Sequence, residues 1–358
     1  MLVALNREEK LVVADTTLSK DDTYHCPACR GAVHLKKGTI MRPHFAHYKQ
    51  ATCAAFSEGE TAEHIQGKLQ LAAWFDRLNV PNEMEAYLPE LKQRPDLLVT
   101  TSNRKIAVEF QCNPIAIEQV VARTAGYLKA GYEVVWLLGK NFEYKRQLTA
   151  FQKACLTQIQ QQLVLFHYSV AQKRVSYRYN FQRNQNQKMT QTQQILRYGE
   201  PMALRLKSRK IPNSRINYEL EHQKLLRQCQ YPSEKTKAFL QLLYNNQETI
   251  ISLPKELYAI VPSEWILQQH PLAWKLQLLL KLEEYPLRTV ITKRMLDTWR
   301  QDLFFHVIPQ LTDAQQRQPL YEFLEILITT HVLTRIRPDK WSLNQYPKRF
   351  QTLERKFS

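Results

Sequence analysis

Nowhere in the 358 residues does an apolar run approach the ~20 residues of a membrane-spanning helix. The first stretch, MLVALNREEKLVV, lacks the basic start and long apolar core of a secretion signal. Cysteine is scarce: six in a chain of this length do not make a disulfide scaffold, and thiols in the cytosol stay reduced. Together these absences suggest a cytoplasmic protein. Acids are in short supply too, 33 Asp and Glu against 50 Lys and Arg, for a formal net charge of +17. Such an excess favours polyanions, with nucleic acid the first candidate. What is present suffices for real cores: 44% of residues are hydrophobic, and the length suggests two or three domains.

The most informative stretch is RPDLLVTTSNRKIAVEFQ, residues 94–111. Two short apolar strands flank a polar turn at Ser102-Asn103. With that pair as a two-residue loop, positions whose numbers sum to 205 face each other. Asp96 then lies opposite Glu109, with Cβ atoms ~5 Å apart. Gln111 shares Glu109's face, while Ile106, Val108 and Phe110 fill the other. Like charges facing across strands repel, and a hard divalent cation held by oxygens is the usual remedy. Two carboxylates on one Mg²⁺ or Mn²⁺ serve phosphodiester hydrolysis. Pro-Asp followed by Glu-x-Gln resembles the PD-(D/E)XK nuclease signature, with Gln111 where Lys is usual.

Upstream, Cys26-Pro-Ala-Cys29 is followed by His44-Phe-Ala-His47 and Cys53. A CxxC knuckle sets two thiolates at one corner of a zinc tetrahedron. Five candidates compete for four places: Cys26 and Cys29 with His44 and Cys53, or with His47 replacing one of these. The zinc would be structural, because so small a patch cannot bury enough to fold unaided.

Residues 57–78 carry a helical apolar stripe, with Ser57 as a candidate N-cap. Glu60, His64 and Lys68 line one stripe of that helix, with Glu63 beside it. A carboxylate from this helix would complete the metal shell of the hairpin. Strands are expected at 84–88, 94–100 and 105–111, then a helix from Pro114 to Gly131 and a buried strand at 133–139. Gln119, Arg123 and Tyr127 step by four along one face of that second helix. They could approach a scissile phosphate or pair with Glu. The resulting order from residue 57, αβββαβ, is the core order of the PD-(D/E)XK fold.

Residues 173–215 hold eleven Lys or Arg and one acid, Glu200, with Tyr177, Tyr179, Phe181 and Tyr198 interleaved. Cations for phosphates and rings for bases are the parts of a single-strand groove. Arg205, Lys207, Arg209 and Lys210 are the densest cations. The glutamine-rich 182–194 reads as linker. Beyond 216 the periodicity is helical, and VLTRIRPDKWSLN suggests a strand–wing–strand, hence a winged-helix-like module.

CPAC, RPHFAH, the EGETAEH helix, RPDLLV and IAVEFQ, taken jointly over residues 1–140, resemble the CoiA competence protein family. The resemblance implies a cytosolic protein of natural competence, acting after uptake in recombination of the incoming strand, with a nuclease-like N-terminal half. It implies metal roles for Asp96 and Glu109, Gln111 in the lysine place, and an acidic helix at Glu60 or Glu63. Gln can orient a water but cannot stabilise its negative charge, so Lys68 or His64 substitutes, or catalysis is slow or absent. The expected fold is α/β plus α: a zinc-knuckle β module (1–55), a PD-(D/E)XK-like domain (56–170), a basic linker or DNA-binding stretch (171–215) and a helical C-terminal domain (216–358). The expected function is that of a metal-dependent DNA-processing nuclease, with Arg123, Tyr127 and the basic stretch holding single-stranded or branched DNA. The alternative is a non-catalytic mediator on the same fold, which binds DNA and helps a recombinase.

Overall fold

The computed structural model describes all residues except 39–40, 49–52, 54–60, 185–187, 202–203, 205, 208–217 and 351–358. The chain divides into two compact units. The first holds residues 1–180, 192–207 and 308–310, and the second holds 181–191, 208–307 and 311–358. No helix among the described residues is long and apolar enough to cross a membrane.

The first unit begins with a five-stranded antiparallel sheet. Its strands are β1 (Val3–Leu5), β2 (Leu11–Val13), β3 (Tyr24–His25), β4 (Ala32–Lys36) and β5 (His44–His47), in the order β2-β1-β3-β4-β5. Alternation along β4 and β5 sends Val33, Leu35 and Phe45 inward, where they meet Tyr24, Ala4 and Cys26. The other side of this module is tied to the α/β core that follows it. Leu2 and Val3 pack on Ile65, and both of their amides donate to the Glu85 carboxylate.

That core is built from α1 (Ala62–Arg77), β6 (Asn82–Met84), β7 (Leu97–Thr100), β8 (Lys105–Gln111), α2 (Ile117–Lys129) and β9 (Glu133–Leu138), so the expected αβββαβ order of elements is present. The N-cap of α1 is Thr61, whose hydroxyl accepts from the His64 amide; Ser57 and Glu60 lie outside the described residues. β6 stops at Met84, the first residue of the expected 84–88 strand, because Glu85 turns left-handed (φ 53°) and sends its carboxylate inward. β7 and β8 pair with Leu97 opposite Val108 and Thr100 opposite Lys105, which is the register expected from the Ser102-Asn103 loop. β8 and β9 run parallel, joined through α2. Phe110 faces α1 at Gly67, where any Cβ would lie 2.1 Å from the ring. The neighbouring Glu109 therefore faces the α2 side.

After α3 (Ala150–Ala154), the sheet grows through β10 (Thr157–Ile159), β11 (Gln162–Ser169), β12 (Arg174–Arg183) and β13 (Met189–Arg197). Its strand order is β13-β12-β11-β9-β8-β7-β6, with β10 on β11. The reading of 182–194 as linker, and of the interleaved rings as platforms for bases, is thereby corrected where the residues are described. Arg174–Arg183 alternates Val175, Tyr177, Tyr179 and Phe181 into the interior, all of them buried. Those rings are core, not platforms for bases, and the glutamine-rich stretch contributes to β12 and β13 where it is described. Tyr198 is partly buried against the same core, with the Arg77 guanidinium over its ring.

The second unit is helical with one small sheet. It contains α4 (Tyr218–Gln230), α5 (Glu234–Asn245), α6 (Pro271–Glu283), β14 (Val290–Thr292), α7 (Lys293–Leu303), α8 (Asp313–Thr329), β15 (Leu333–Arg337) and β16 (Lys340–Leu343). The sheet order is β14-β16-β15, all antiparallel. Trp274, Leu279, Phe323 and Trp341 are buried in it.

Candidate active site and metal centre

The hairpin register places Asp96 one residue before β7, opposite Glu109. Asp96 turns towards α1. Its Oδ2 accepts from the Phe110 amide at 2.8 Å and lies 3.0 Å from His64 Nε2; its Oδ1 is 3.7 Å from Lys68 Nζ. His64 and Asp96 keep 21% and 15% of their side-chain surface, so this corner opens to solvent. Burial opposes ionisation of Asp96, but His64, Lys68 and the Phe110 amide outweigh it and hold the carboxyl well below the usual range.

Glu109 looks the other way. Its Oε1 accepts from the Tyr127 hydroxyl at 2.6 Å and is ion-paired with Arg123. Burial pushes Glu109 up, helped by the charge of Asp96, against the pull of Arg123 and Tyr127. The step-by-four row on α2 is thus split. Gln119 is exposed, whereas Arg123 and Tyr127 turn inward onto the carboxylate. Arg123 also donates to the Arg94 carbonyl at 3.2 Å. Gln111 Nε2 donates to the Asn113 carbonyl at 2.6 Å, which orients its amide along the strand end.

Lys68 is fully buried, with Nζ 2.5 Å from Glu85 Oε1. Burial disfavours a charged Glu85, yet Lys68, Arg94 and the N-terminal ammonium hold it well below the usual range. Sequence reasoning missed Glu85 and Arg94; no local pattern marks them, since their partners come from α1 and from the amides of Leu2 and Val3. Glu63 accepts from the Lys140 amide at 3.0 Å, with Lys140 Nζ at 3.7 Å. Gly139 lets that approach happen, because a Cβ there would come within 3.1 Å of Glu63 Oε1.

The second cluster is of another kind. Cys26, Cys29, His47 and Cys53 bring their ligand atoms within 4.8 Å of one another, a set that could hold a metal ion. The knuckle closes locally: Arg30 N donates to Cys26 O at 2.9 Å, Cys26 N to Gly31 O at 2.9 Å, and Arg30 takes φ 58°. Cys29 Sγ lies 3.3 Å from His47 Nε2 and accepts from the Gly31 amide at 3.4 Å. Burial raises the Cys29 thiol, but the Gly31 amide and the Cys53 and Cys26 thiols win and lower it. Of the five candidate ligands, His44 is the one left out: its Nδ1 is 2.9 Å from the Arg42 carbonyl. Three positions apart on β5, His44 and His47 point to opposite faces, so one cluster takes one of them.

Among the expected DNA-binding cations, Arg205, Arg209 and Lys210 lie outside the described residues. Lys207 is exposed, and its carbonyl accepts from Asn180 Nδ2 at 2.5 Å.

Two family models match the chain: the nuclease-like domain of competence protein CoiA over residues 60–210, and the N-terminal domain of competence protein CoiA over residues 9–56. A competence protein CoiA from Bacillus subtilis (strain 168) is 34% identical over 128 residues, 36% of this chain and 34% of that protein. The match thus spans about a third of the relative's length. No solved structure matches.

Proposed function

The chain belongs to the CoiA competence protein family, and on that premise we propose that it acts on DNA taken up during competence. Its role there is in recombination with the chromosome, through metal-dependent phosphodiester hydrolysis by the nuclease-like domain. Asp96 would hold Mg²⁺ or Mn²⁺, joined by Glu109 once it swings from Arg123 and Tyr127 towards Asp96 and by Glu63 once it leaves Lys140; the ion when bound would polarise the scissile phosphate and activate a water. One observation carries the reading: α1 delivers His64 and Lys68 to Asp96. A cation thus stands beside the carboxylate in the very hairpin whose motif carries Gln111 in place of lysine. Gln111 is left to orient the attacking water. The cations of 173–215, Lys207 among them, would hold a single-stranded or branched substrate by its phosphates. Zinc on Cys26, Cys29, His47 and Cys53 fits the donor set, thiolates and an imidazole, and would be structural with all four places filled by protein.

A second reading has its own observation. Glu109 already has a guanidinium and a phenol as partners, and Asp96 has an imidazole and an ammonium. On that ground the fold is a non-catalytic scaffold that binds DNA and assists a recombinase. Incubation of labelled linear, circular and branched DNA with Mg²⁺ or Mn²⁺ separates the two. The nuclease reading expects cleavage by wild type and none by Asp96→Ala. Cleavage of no substrate by either protein, with DNA binding intact, leaves the scaffold.

A further inference from the structure

The second unit carries a cationic surface of its own. α6, β14, α7, α8, β15 and β16 follow in the order helix–strand–helix–helix–strand–strand, with the last two strands forming a hairpin. In that arrangement α8 is the helix that would enter a DNA groove and the β15–β16 hairpin is the wing. The two are charged oppositely. Along α8 the exposed residues are Asp313, Ala314, Gln318, Glu325 and Thr329, with no cation among them. Its one Arg, Arg317, is half-buried and paired with Asp297 and Asp313.

The hairpin reads Arg335-Ile-Arg-Pro-Asp-Lys340, every residue exposed. Arg337 pairs in register with Lys340, and Lys340 with Thr292 on β14. The Lys293 amide donates to the Asp339 carbonyl at 3.0 Å, so the exposed Lys293 and Arg294 stand at the same end of the sheet. Arg335 is paired with Glu325, and Asp339 is the acid in the turn. Ile336 keeps 51% of its surface although it sits between two arginines.

We infer that this wing, with the start of α7, is a contact for the phosphate backbone of duplex DNA. Arg337, Lys340, Lys293 and Arg294 carry the phosphates, and Ile336 rests against the minor-groove floor. α8 stays out of the groove, because its exposed face offers the phosphates no cation: Asp313 and Glu325 are ion-paired with Arg300, Arg317 and Arg335, and the other exposed residues are neutral. Binding of this kind reads charge and shape rather than base edges, so it is sequence-independent. The site lies outside the nuclease-like domain and does not depend on the cleavage proposed for it.

The test uses the full chain carrying Asp96→Ala, which would remove the proposed cleavage, in buffer without added Mg²⁺. The probe is a short mixed-sequence duplex, beside a single strand of the same length. Replacing Lys293, Arg337 and Lys340 together by Ala should lower duplex affinity at least about tenfold and flatten its salt slope by roughly 2–3. Single-strand binding should change far less. Arg337→Lys with Lys340→Arg should restore the duplex binding, which separates lost charge from lost fold. Ala314→Glu, which adds a carboxylate to the exposed first turn of α8, should leave the affinity within about twofold of its parent. An unchanged duplex slope in the triple variant overturns the inference and makes the wing a surface for another kind of partner. A large loss with Ala314→Glu overturns it too, by putting α8 in the groove.

Discussion

The Cys26/Cys29/His47/Cys53 cluster and the Asp96–Glu109 hairpin both gather ligand-type side chains, but they solve the problem of charge in opposite ways. In the first, four donors face one another, and what lowers the Cys29 thiol is the Gly31 amide with the Cys53 and Cys26 thiols. In the second, Asp96 has His64 and Lys68, and Glu109 has Arg123 and Tyr127. With zinc bound as proposed, thiolates crowded in that way would be answered by an external ion, and metal and local fold would be one event. Carboxylates already neutralised from within are stable alone. A divalent ion there must displace an internal partner, which makes its binding weaker and dependent on protonation. The comparison teaches that ligand-type residues in proximity are not yet a metal site; what matters is whether the protein has answered their charge itself.

The sharpest way to break the contrast is at the cysteines. Cys26→Ser should drop zinc from about one per chain to under about a tenth and unfold the first sheet, while the larger sheet stays folded. Metal analysis with far-UV circular dichroism checks this. Zinc retained at full stoichiometry would show that the four donors are not the site.

Next in size is the buried network beneath the hairpin. Glu85→Gln leaves Lys68 buried without its main partner, at a cost of about 3–5 kcal/mol. For a unit of this size that is roughly 10 °C in melting temperature. A change of only one or two degrees would mean that water reaches Lys68.

A smaller effect should come from freeing Glu109. Arg123→Met removes the competing guanidinium, so the rise in melting temperature on adding Mn²⁺ should exceed that of wild type. The same rise should shrink as pH is lowered from 7 towards 5. Glu109 has a raised pKa, so it takes up its proton at a higher pH than an ordinary glutamate, and the protonated carboxyl is no metal ligand. A Mn²⁺ effect that is flat across that range would place the ion elsewhere. The smallest expected effect is that of His44→Ala, which should leave zinc content unchanged, while His47→Ala lowers it.

Much of this was legible in the sequence. The Ser102-Asn103 loop gives the register of β7 and β8, because a two-residue turn leaves no slack in the pairing. The choice between His44 and His47 was open at the level of motif, although the parity of a strand separates them once β5 is placed. At 173–183 the charge obscured a strict alternation of Val175, Tyr177, Tyr179 and Phe181, so a strand has the look of a linker. Spacing by four found Arg123 and Tyr127 on one face, but whether that face meets a phosphate or Glu109 depends on how α2 lies on the sheet. Glu85 and Arg94 carry no signal in their own neighbourhood; only the tertiary fold brings Lys68 and the Leu2 and Val3 amides to Glu85, and Glu85 to Arg94.

The most direct measurement is a titration with Mn²⁺ followed by its electron paramagnetic resonance, on zinc-loaded wild type and on Asp96→Ala. The account predicts one saturable Mn²⁺ site in wild type, lost in Asp96→Ala while zinc content stays the same. A wild type with no saturable Mn²⁺, or a site that survives Asp96→Ala, would contradict it.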